Sequence, residues 1–576
     1  MHKSQGFGSA GVRGTTPEYF EHLKGSRAQK DLFEGVNTTW SRIKGGVAVS
    51  KEIEKVTKKF NPQDPSASVA GLIKVKQSIA NLPDGYWKTE KTEQVNELIK
   101  ACAGLYLEAI TREFTVTSGD KVDVSVEAIN RSDVPVKINK LTFSLAAQDS
   151  TIEVQLKNNI PFTLTKNIEI PAGTAISQPY WLKKEGSLGM FSVDDQQLIG
   201  LPENPPDAIV QFAMTIAGEP ITYKVPVMYK KTDPVDGEIY RPFEIIPPVL
   251  VRVADHVLVF ADDQPRVVRL MVQAGKDNIA GNLRVVLPEG WKAEPATFPF
   301  QVKQKGEELT VVMKIFPPAN ASEGKMGVIV EANGVNYTQS IVNINYPHIP
   351  SQVVFPEAAA KVVRLDLKRK GKNIGYIAGA GDEIPASLRQ IGYVVNILAE
   401  PEITPENLKQ FDAIILGVRA FNTIDRIKFY QPRLMEYVKN GGNVIVQYNT
   451  SHAVLSDEIG PYPIKLSRDR VTVEEAEVRF LKPEHPVLNT PNKITKADFE
   501  GWVQERGLYF PSSWAPEYEA ILSSNDPGET PKDGGLLVAR YGKGYFVYTG
   551  YSWFRQLPAG VPGAYRLFTN LISIGK

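Results

Sequence analysis

The chain has 576 residues, with 66 Lys and Arg against 65 Asp and Glu and a formal net charge of +1. A single hydrophobic core rarely serves more than about 250–300 residues, so this length predicts several domains. The balanced charge, without a long block of one sign, argues against nucleic acid as the main partner. The sequence has no run of 18 or more apolar residues, so it predicts no membrane span.

Residues 26–110 are predicted to form a helical connector. Apolar residues repeat at helical spacing across Ser50–Phe60, and further helices are predicted from about Ser66 to Leu82 and from about Lys91 to Leu107. The last of these carries Cys102, the one cysteine of the chain, which excludes an intrachain disulfide and a cysteine-based zinc site. We interpret Cys102 as a buried structural thiol, since free Cys is usually a small core residue.

Two β-sandwiches are predicted next, at residues 111–230 and 236–348. Lys121–Glu127 alternates polar and apolar residues, which is the pattern of a half-buried strand. Further short apolar runs, such as Val267–Gln273 and Leu309–Ile315, are separated by Pro, Gly, Asn and Asp. Many short strands separated by turn residues are typical of an all-β sandwich.

Residues 355–576 alternate predicted strands with predicted helices. The strands include Asn373–Ala378, Phe411–Gly417 and Asn443–Tyr448. Alternating units of this length predict right-handed βαβ crossovers and a parallel sheet. The predicted fold class is therefore multidomain α+β: a helical connector, two β-sandwiches, and a C-terminal α/β domain with a mainly parallel, flavodoxin-like sheet.

Polar side chains follow two of the predicted buried strands. Arg419 and Asn422 come after Phe411–Gly417, and Asn449 and His452 come after the next buried strand. Because ligands of open parallel sheets bind beyond the carboxyl ends of the strands, we predict a cleft there for an anionic or hydroxyl-rich ligand such as an acidic sugar. The alternative interpretation of Arg419 is a salt bridge that fixes its loop. The predicted ligand-binding residues are Arg419, Asn422, Asn449, His452, Glu505 and Arg506.

Several of these and nearby residues also have a structural interpretation. A hydrogen-bonded structural histidine is favoured for His452, and loop packing is favoured for His485, which lies between two prolines. Trp502, Tyr509 and Trp514 suit either a sugar-stacking face or core packing, with core packing favoured. No residues of the sequence are predicted to bind a metal.

The first residues form a Gly- and Ser-rich run, from His2 to Gly14, followed by Glu18-Tyr19-Phe20-Glu21-His22-Leu23. This segment resembles the last part of the catalytic domain of PIG-L family (LmbE-like) N-acetyl-sugar deacetylases. The resemblance implies that residues 1–25 are a remnant of that domain. The family holds zinc through a His-Pro-Asp-Asp motif and a later His, and the sequence has no His-Pro-Asp-Asp. We therefore expect that the zinc-binding domain is mostly absent from this chain and that this chain holds no cofactor. The implied pocket-remnant residues are His2, Ser4, Gln5 and Arg13.

Two further resemblances concern the later domains. Leu287–Trp291 resembles the corner of a bacterial NEW3-type immunoglobulin-like domain. The final domain contains the motifs Gly417–Asn422, Gln447–Thr450 and Glu484–Leu488. Through them it resembles the class I glutamine amidotransferase-like superfamily, nearest its ThuA-like branch. Together with the opening segment and Trp40–Arg42, these motifs resemble the long PIG-L-type proteins of Bacteroidetes.

The resemblance implies a periplasmic or extracellular location, although the sequence shows no signal peptide. It also implies two partners, a glycan and the missing deacetylase domain. The amidotransferase nucleophile, a Cys, corresponds most closely to Asn449, whose amide is not a nucleophile. Three functions stay open: a non-catalytic scaffold or glycan-recognition region, a hydrolase using Arg419, Asn449, His452 and Glu505, or a purely architectural role for the sandwiches.

Overall fold

The computed structural model describes residues 14–146, 148–456 and 458–576. Strands account for 37% of the structure and helices for 19%, arranged in several sheets. The coarse prediction of a multidomain α+β chain with β-sandwiches is confirmed. The predicted pocket-remnant residues His2, Ser4, Gln5 and Arg13 lie outside the described residues.

The chain divides into two compact units, and the five predicted domain ranges stay a prediction. No helix in the described parts of the chain is both long and apolar enough to cross a membrane. The first unit comprises the chain up to Phe114 together with Lys121–Glu169 and Pro206–Phe243, and the second comprises Thr115–Asp120, Ile170–Pro205 and Glu244–Lys576.

Three helices form the start of the first unit: α1 (Gly46–Lys59), α2 (Val69–Ala80) and α3 (Tyr86–Cys102). The predicted third helix extended to Leu107, but α3 ends at Cys102. Gly104 takes a left-handed conformation, with φ of 64°, which an α-helix cannot continue. The chain therefore leaves the helix there and enters the first strand.

The strands of the first unit form the continuous sheet β5-β4-β7-β8-β1-β3-β6, with β9 paired to β8. Val122, Val124 and Val126 of β3 are buried, as the polar–apolar alternation of this strand predicts. In chain order the strands of this sheet are β1 (Leu105–Thr111), β3 (Lys121–Asn130), β4 (Val136–Phe143), β5 (Gln148–Leu156), β6 (Phe162–Glu169), β7 (Ile209–Ile216), β8 (Glu219–Asp233) and β9 (Gly237–Pro242). The short strand β2 (Thr115–Thr117) lies between β1 and β3 in the chain but belongs to the second unit.

The second unit begins with a sandwich of two sheets, β11-β13-β17-β15 and β12-β22-β18-β14-β16. Leu270 and Val311 from the first sheet share one core with Leu283 and Val330 from the second. The strand β22 lies inside the range predicted for the α/β domain, yet it pairs with β12 and β18 of the sandwich. The strands are β10 (Glu244–Ile246), β11 (Val249–Val253), β12 (Val257–Phe260), β13 (Arg266–Ala274), β14 (Ile279–Val286), β15 (Lys292–Glu294), β16 (Thr297–Val302), β17 (Glu308–Phe316), β18 (Ser322–Ala332), β19 (Val335–Tyr337), β20 (Val342–Ile344), β21 (Gln352–Val354) and β22 (Ala359–Arg364).

The rest of the second unit alternates strands and helices. Its main sheet has the order β24-β23-β25-β26-β33-β32-β30. The pairs from β24 to β33 are parallel, and the last two pairs are antiparallel. The elements are β23 (Asn373–Ile377), α4 (Ile384–Gln390), β24 (Val394–Ile397), α5 (Pro405–Leu408), β25 (Ala413–Leu416), α6 (Ala420–Thr423), α7 (Ile427–Lys439), β26 (Asn443–Gln447), β27 (Ile464–Val471), β28 (Val478–Phe480), α8 (Pro486–Asn489), β29 (Gly507–Trp514), β30 (Tyr518–Ala520), β31 (Leu522–Ser524), β32 (Leu536–Tyr541), β33 (Gly544–Thr549), α9 (Trp553–Gln556) and α10 (Pro562–Ser573).

The central strands of this sheet are buried on both faces. Ile414 and Val444 pack in one core with Leu434 of α7, while the next residue on each strand, such as Ile445, packs in another core with Phe568 of α10. This alternation follows from the two-residue period of a strand and explains why both strands are continuously apolar. The parallel pairing of β25 with β26 brings the loops that follow them to one edge of the sheet.

Trp291 is predicted to be a large contributor to the stability of the sandwich. It is 6% exposed, its ring lies edge-to-face against Phe260 at 5.0 Å, and its indole N–H donates to Ser322 Oγ at 3.1 Å. We expect Trp291→Ala to cost about 3–5 kcal/mol of unfolding free energy, measured in urea, because it leaves a cavity. Trp181→Ala, at a half-buried position of the same unit, should cost much less. Equal costs would contradict this assignment.

Candidate functional site

The loops after β23, β25 and β26 are joined directly at the backbone. The N–H of Ala380 donates to Val418 O at 2.8 Å, and the N–H of Arg419 donates to Tyr448 O at 2.8 Å. A side chain at Gly379 would lie 2.1 Å from Val418 O, so the first two loops approach as closely as glycine allows. The carboxyl ends of these parallel strands therefore form one braced surface.

Asn449 is fully buried within this brace. Its Oδ1 accepts the N–H of Phe421 at 2.8 Å, and its Nδ2 donates to Gln447 O at 2.9 Å. Both polar atoms of the Asn449 side-chain amide are therefore hydrogen-bonded to backbone groups. Its backbone N–H is also held, by the hydroxyl oxygen of Tyr548 at 3.2 Å. Asn449 supports the shape of the loops, and its side chain is not presented to a ligand.

Asn422 has a similar supporting position. Its Oδ1 accepts the N–H of Thr450 at 2.9 Å, and its Nδ2 donates to His452 O at 3.1 Å. Together, Asn422 and Asn449 fasten the loop after β25 to the loop after β26 by side-chain hydrogen bonds in both directions. The structure thus brings these two predicted residues together, but as positioning groups.

Arg419 is the charged residue of this surface. It is half-buried, and its backbone is left-handed, with φ of 59°. Its Nε is buried and has no hydrogen-bond partner among the described residues. A buried guanidinium N–H without a partner costs free energy, and because Nε is closed to solvent, a ligand can contact this half-buried side chain only at the atoms that remain exposed.

Aromatic rings lie beside Arg419. The rings of Tyr448 and Tyr509 are nearly parallel, 7° apart in orientation, with centroids at 6.1 Å. Phe554 lies 5.4 Å from Tyr448, and His452 lies 6.3 Å from Tyr509. We call these four residues the aromatic platform. None of its rings is fully buried, and His452 is exposed.

An ion pair completes the site. Arg555 Nε donates to Glu505 Oε1 at 2.8 Å, and Arg555 also donates to Gln504 Oε1. Burial raises the pKa of Tyr448; Arg419 and Arg555 oppose the rise, while Glu505 adds to it. The two arginines and the glutamate therefore act on the same hydroxyl group. With Arg555 paired to Glu505, Arg419 is a cation that the described ion pairs leave unmatched, and Asp382, whose Oδ2 accepts the N–H of Val418 at 3.2 Å, is a nearby carboxylate.

Arg506 and Trp502 are not brought to this site. Arg506 is 4% exposed, and it donates to the carbonyl oxygens of Ala476 and Phe499. Burial lowers the pKa of Arg506, and its guanidinium lies 5.4 Å from the ring of Trp502. Trp502 packs with Phe499 in the core. For Trp502 the core-packing interpretation fits, whereas Tyr509 joins the aromatic platform.

Sequence reasoning missed Tyr448, Phe554 and Arg555. The sequence predicts Tyr448 as the last residue of a buried strand, whereas β26 ends one residue earlier, at Gln447. Its position directly after a buried strand was the available signal. Phe554 and Arg555 lie in α9, about a hundred residues later, and no local pattern connects them to Tyr448.

No metal centre is assigned in the part of the chain that the structure describes. Within residues 14–146, 148–456 and 458–576, no group of three or more His, Cys, Asp or Glu side chains is arranged to hold a metal ion. Cys102 is half-buried, and burial raises the pKa of its thiol.

Comparisons with known proteins identify no family. No protein-family model and no curated protein matches the chain. A family 123 glycoside hydrolase from Clostridium perfringens is similar over 36% of this chain and 38% of its own, at 11% identity and a TM-score of 0.14. Alpha-2-macroglobulin from E. coli is similar over 45% of this chain and 16% of its own, at 11% identity and a TM-score of 0.16. Salmonella alpha-2-macroglobulin is similar over 46% of this chain and 16% of its own, at 10% identity and a TM-score of 0.16. The chain thus spans well under half of each of these proteins, and such TM-scores define no shared fold.

The buried amide of Asn449 is expected to stabilise the fold. Asn449→Ala leaves the Phe421 N–H without its acceptor in a buried place, which typically costs about 1–3 kcal/mol. We expect a lower denaturation midpoint in urea for this variant. Asn343→Ala, at an exposed strand position of the same unit, is the matched control and should be close to neutral. An Asn449→Ala variant as stable as the parent would contradict the bracing role.

His485 is expected to make stability depend on pH. Its Nδ1 accepts the N–H of Val487 at 3.2 Å, which requires a neutral ring. Burial lowers the pKa of His485 from its ordinary value of 6.5, while Glu519 opposes the shift and Lys482 adds to it. Because the unfolded chain then takes up the proton first, this contribution is complete above about pH 6.5 and is lost as the pH falls through the folded pKa.

The variant His485→Asn tests this pH dependence, because Asn caps a helix without titrating. The melting temperatures of parent and variant should be compared from about pH 8 to about pH 5. We expect their difference to move in favour of the variant as the pH falls. A difference that does not change with pH would rule out a titrating cap at His485.

Proposed function

We propose that this chain is a non-catalytic accessory region of a PIG-L-type N-acetyl-sugar deacetylase and that its C-terminal α/β region recognises a glycan. The recognition site is the surface formed by Arg419 and the aromatic platform. The ligand is anionic or hydroxyl-rich, with an acidic sugar as the best match. The sequence resemblance supports the deacetylase connection, and the geometry of the site supports the recognition role.

The recognition role rests on one observation, the unpartnered Nε of the half-buried Arg419 side chain. Its Nε is buried and has no partner among the described residues, at the edge of the sheet where parallel strands end. A guanidinium offers a planar fork that fits carboxylates and sugar hydroxyls. Partly exposed tyrosine rings beside it add an apolar face and polar hydroxyl groups, which is the combination that sugars require.

The sheet supports a flavodoxin-like, amidotransferase-like domain as the finer fold. Numbered from β23, the parallel strands β24-β23-β25-β26-β33 follow the order 2-1-3-4-5, which is the order of flavodoxin-like sheets. In such sheets a ligand binds beyond the carboxyl ends of the strands, which is where Arg419 lies. The ThuA-like assignment itself rests on the sequence motifs.

Recognition is favoured over hydrolysis by the contacts of two residues. The hydrolase alternative needs Asn449 and Glu505 as reactive groups, but the first is buried and bonded at both ends of its amide, and the second is paired with Arg555. Asn449 also stands where the resemblance places the amidotransferase nucleophile, and an amide does not act as one. Cys102 belongs to the first unit, outside the α/β region.

The remaining parts of the proposal follow from the resemblance alone. The deacetylase domain is the expected partner, and it is the part expected to hold zinc. A location in the periplasm or outside the cell follows in the same way. In this arrangement, the accessory region holds a glycan while the deacetylase acts on it, and the sandwiches are spacers.

The variant Arg419→Ala tests the recognition role. Binding of acidic sugars, measured on a glycan array and by calorimetry, should weaken about 10–150-fold, because a hydrogen bond to a charged group is worth about 1.5–3 kcal/mol. The melting temperature should not fall, since the side chain has no partner to lose at Nε.

The matched control is Arg284→Ala, an exposed arginine on β14 of the same unit, which should bind like the parent. If Arg419→Ala also binds like the parent, or if no sugar on the array is bound at all, the proposed recognition site is wrong.

A further inference from the structure

We propose that the aromatic platform determines the specificity of this site and that the ligand is a pyranose ring carrying a single carboxylate, a uronic acid. This inference rests on the proposed function and names the ligand class of that same site. Tyr448 and Tyr509 would hold the apolar face of the sugar ring, and Arg419 would bind its carboxylate. Asn422 and Asn449 act only by positioning the loops.

The argument for a sugar ring starts from the orientation of the two tyrosines. Their rings differ by only 7° and their centroids are 6.1 Å apart, so the two rings form a parallel, stacked pair. The face of an aromatic ring is negative and attracts the slightly positive C–H groups on one side of a pyranose. Phe554 lies 5.4 Å from Tyr448, tilted by 42°, and the guanidinium of Arg555 lies 4.9 Å from the centre of its ring. A purely polar anion such as inorganic phosphate would use none of these rings.

The argument for a single carboxylate is the charge of the site. Arg555 is paired with Glu505 at 2.8 Å, so these two charges largely cancel. Arg419 then provides one positive charge, while Asp382, whose Oδ2 accepts the N–H of Val418 at 3.2 Å, places a carboxylate on the adjoining loop. A phosphate monoester carries nearly two negative charges at neutral pH. Its second charge would meet no further cation among these residues and would be repelled by the carboxylate of Asp382, which lies on the adjoining loop. The site should therefore favour a uronate over a sugar phosphate.

The backbone conformations point to the same residues. Arg419 and Tyr509 both have left-handed backbones, with φ of 59° and 52°, and so do Gln504 and Ala453, with φ of 66° and 54°. None of the four is glycine, so each conformation costs free energy that the surrounding contacts must offset. Such residues cluster at ligand clamps. Here they set the directions of the Arg419 guanidinium, of the Tyr509 ring and of the loop that carries His452.

Glu505 has a second role in this arrangement. Its carboxylate accepts one hydrogen bond from Arg555 at Oε1, and a carboxylate can accept several more. The ring hydroxyls of a pyranose are suitable donors, and a ligand held on the platform would bring them to the charged edge of the site. The ion pair thus offers carboxylate oxygens that can accept the hydroxyl groups of a sugar.

The test is calorimetry of the full chain with three matched sugars. Methyl β-glucuronide carries one carboxylate, methyl β-glucoside is neutral, and glucose 6-phosphate carries a phosphate. We expect the glucuronide to bind at least about 10-fold more tightly than either of the others, since the charged hydrogen bond is lost or the second charge is repelled. Equal or tighter binding of glucose 6-phosphate would overturn the proposal.

Two kinds of variant distinguish the contribution of the aromatic rings to binding from that of the arginine charge. Arg419→Gln should reduce the preference for glucuronide over glucoside to less than about 3-fold, because both ligands then meet a neutral group. Tyr509→Ala should weaken both ligands by about 3–10-fold and keep the preference, because the ring face is common to both. Phe554→Leu keeps most of the volume and should act in the same direction. It serves as the second variant if Tyr509→Ala does not fold.

The matched control is Tyr346→Ala, an exposed tyrosine of the same unit, which should bind like the parent. If glucuronide binding depends on Arg419 but neither Tyr509→Ala nor Phe554→Leu changes it, the proposed function stands and the specificity inference is wrong. If none of the three sugars binds, the proposed function and this inference both fail.

Discussion

The candidate site depends on the brace between the loops after β25 and β26. The N–H of Arg419 is held by Tyr448 O at 2.8 Å, and Asn449 holds the N–H of Phe421 at the same distance. A left-handed arginine costs about 1–3 kcal/mol, and hydrogen bonds of this kind offset such a cost only when water is kept out. The full burial of Asn449 provides that condition. The brace thus fixes the backbone of Arg419 against that of Tyr448.

The parallel sheet explains where the brace forms. β25 and β26 pair in parallel, so their carboxyl ends lie at one edge and their following loops are neighbours. Both strands are buried on each face by separate cores, and a strand held on both faces cannot shift its register without exposing apolar residues. The positions of Arg419 and Tyr448 are therefore set by packing far from the site, and only the last side chains of each loop remain available for a ligand.

The sequence predicts the scaffold of this site better than its chemistry. Continuous apolar runs over two strands were enough to predict a parallel pair, and hence to place Arg419 and Asn449 at one edge. The same reasoning does not reveal side-chain direction. Asn449 points into the brace, Arg506 points into the core toward Phe499, and Glu505, its neighbour, points to Arg555. Adjacent side chains of an irregular segment, such as those of Glu505 and Arg506, point in different directions. The sequence pattern does not indicate which of the two faces the cleft.

The contacts of Tyr448 were beyond sequence reasoning for a different reason. Phe554 and Arg555 approach this ring from α9, which follows β33 in the chain and returns to the same edge of the sheet. Such long-range encounters depend on the full topology. The helix end at Gly104 is the opposite case, since a glycine after the last helical turn was a local signal in the sequence.

A crystal structure of the chain with bound glucuronide would test the central claim most directly. The account predicts the sugar ring against Tyr448 and Tyr509, its carboxylate within about 3 Å of Arg419, and the hydrogen bonds of Asn449 unchanged. A sugar bound elsewhere on the second unit, or an Arg419 side chain that turns away to pair with a protein carboxylate, would contradict it.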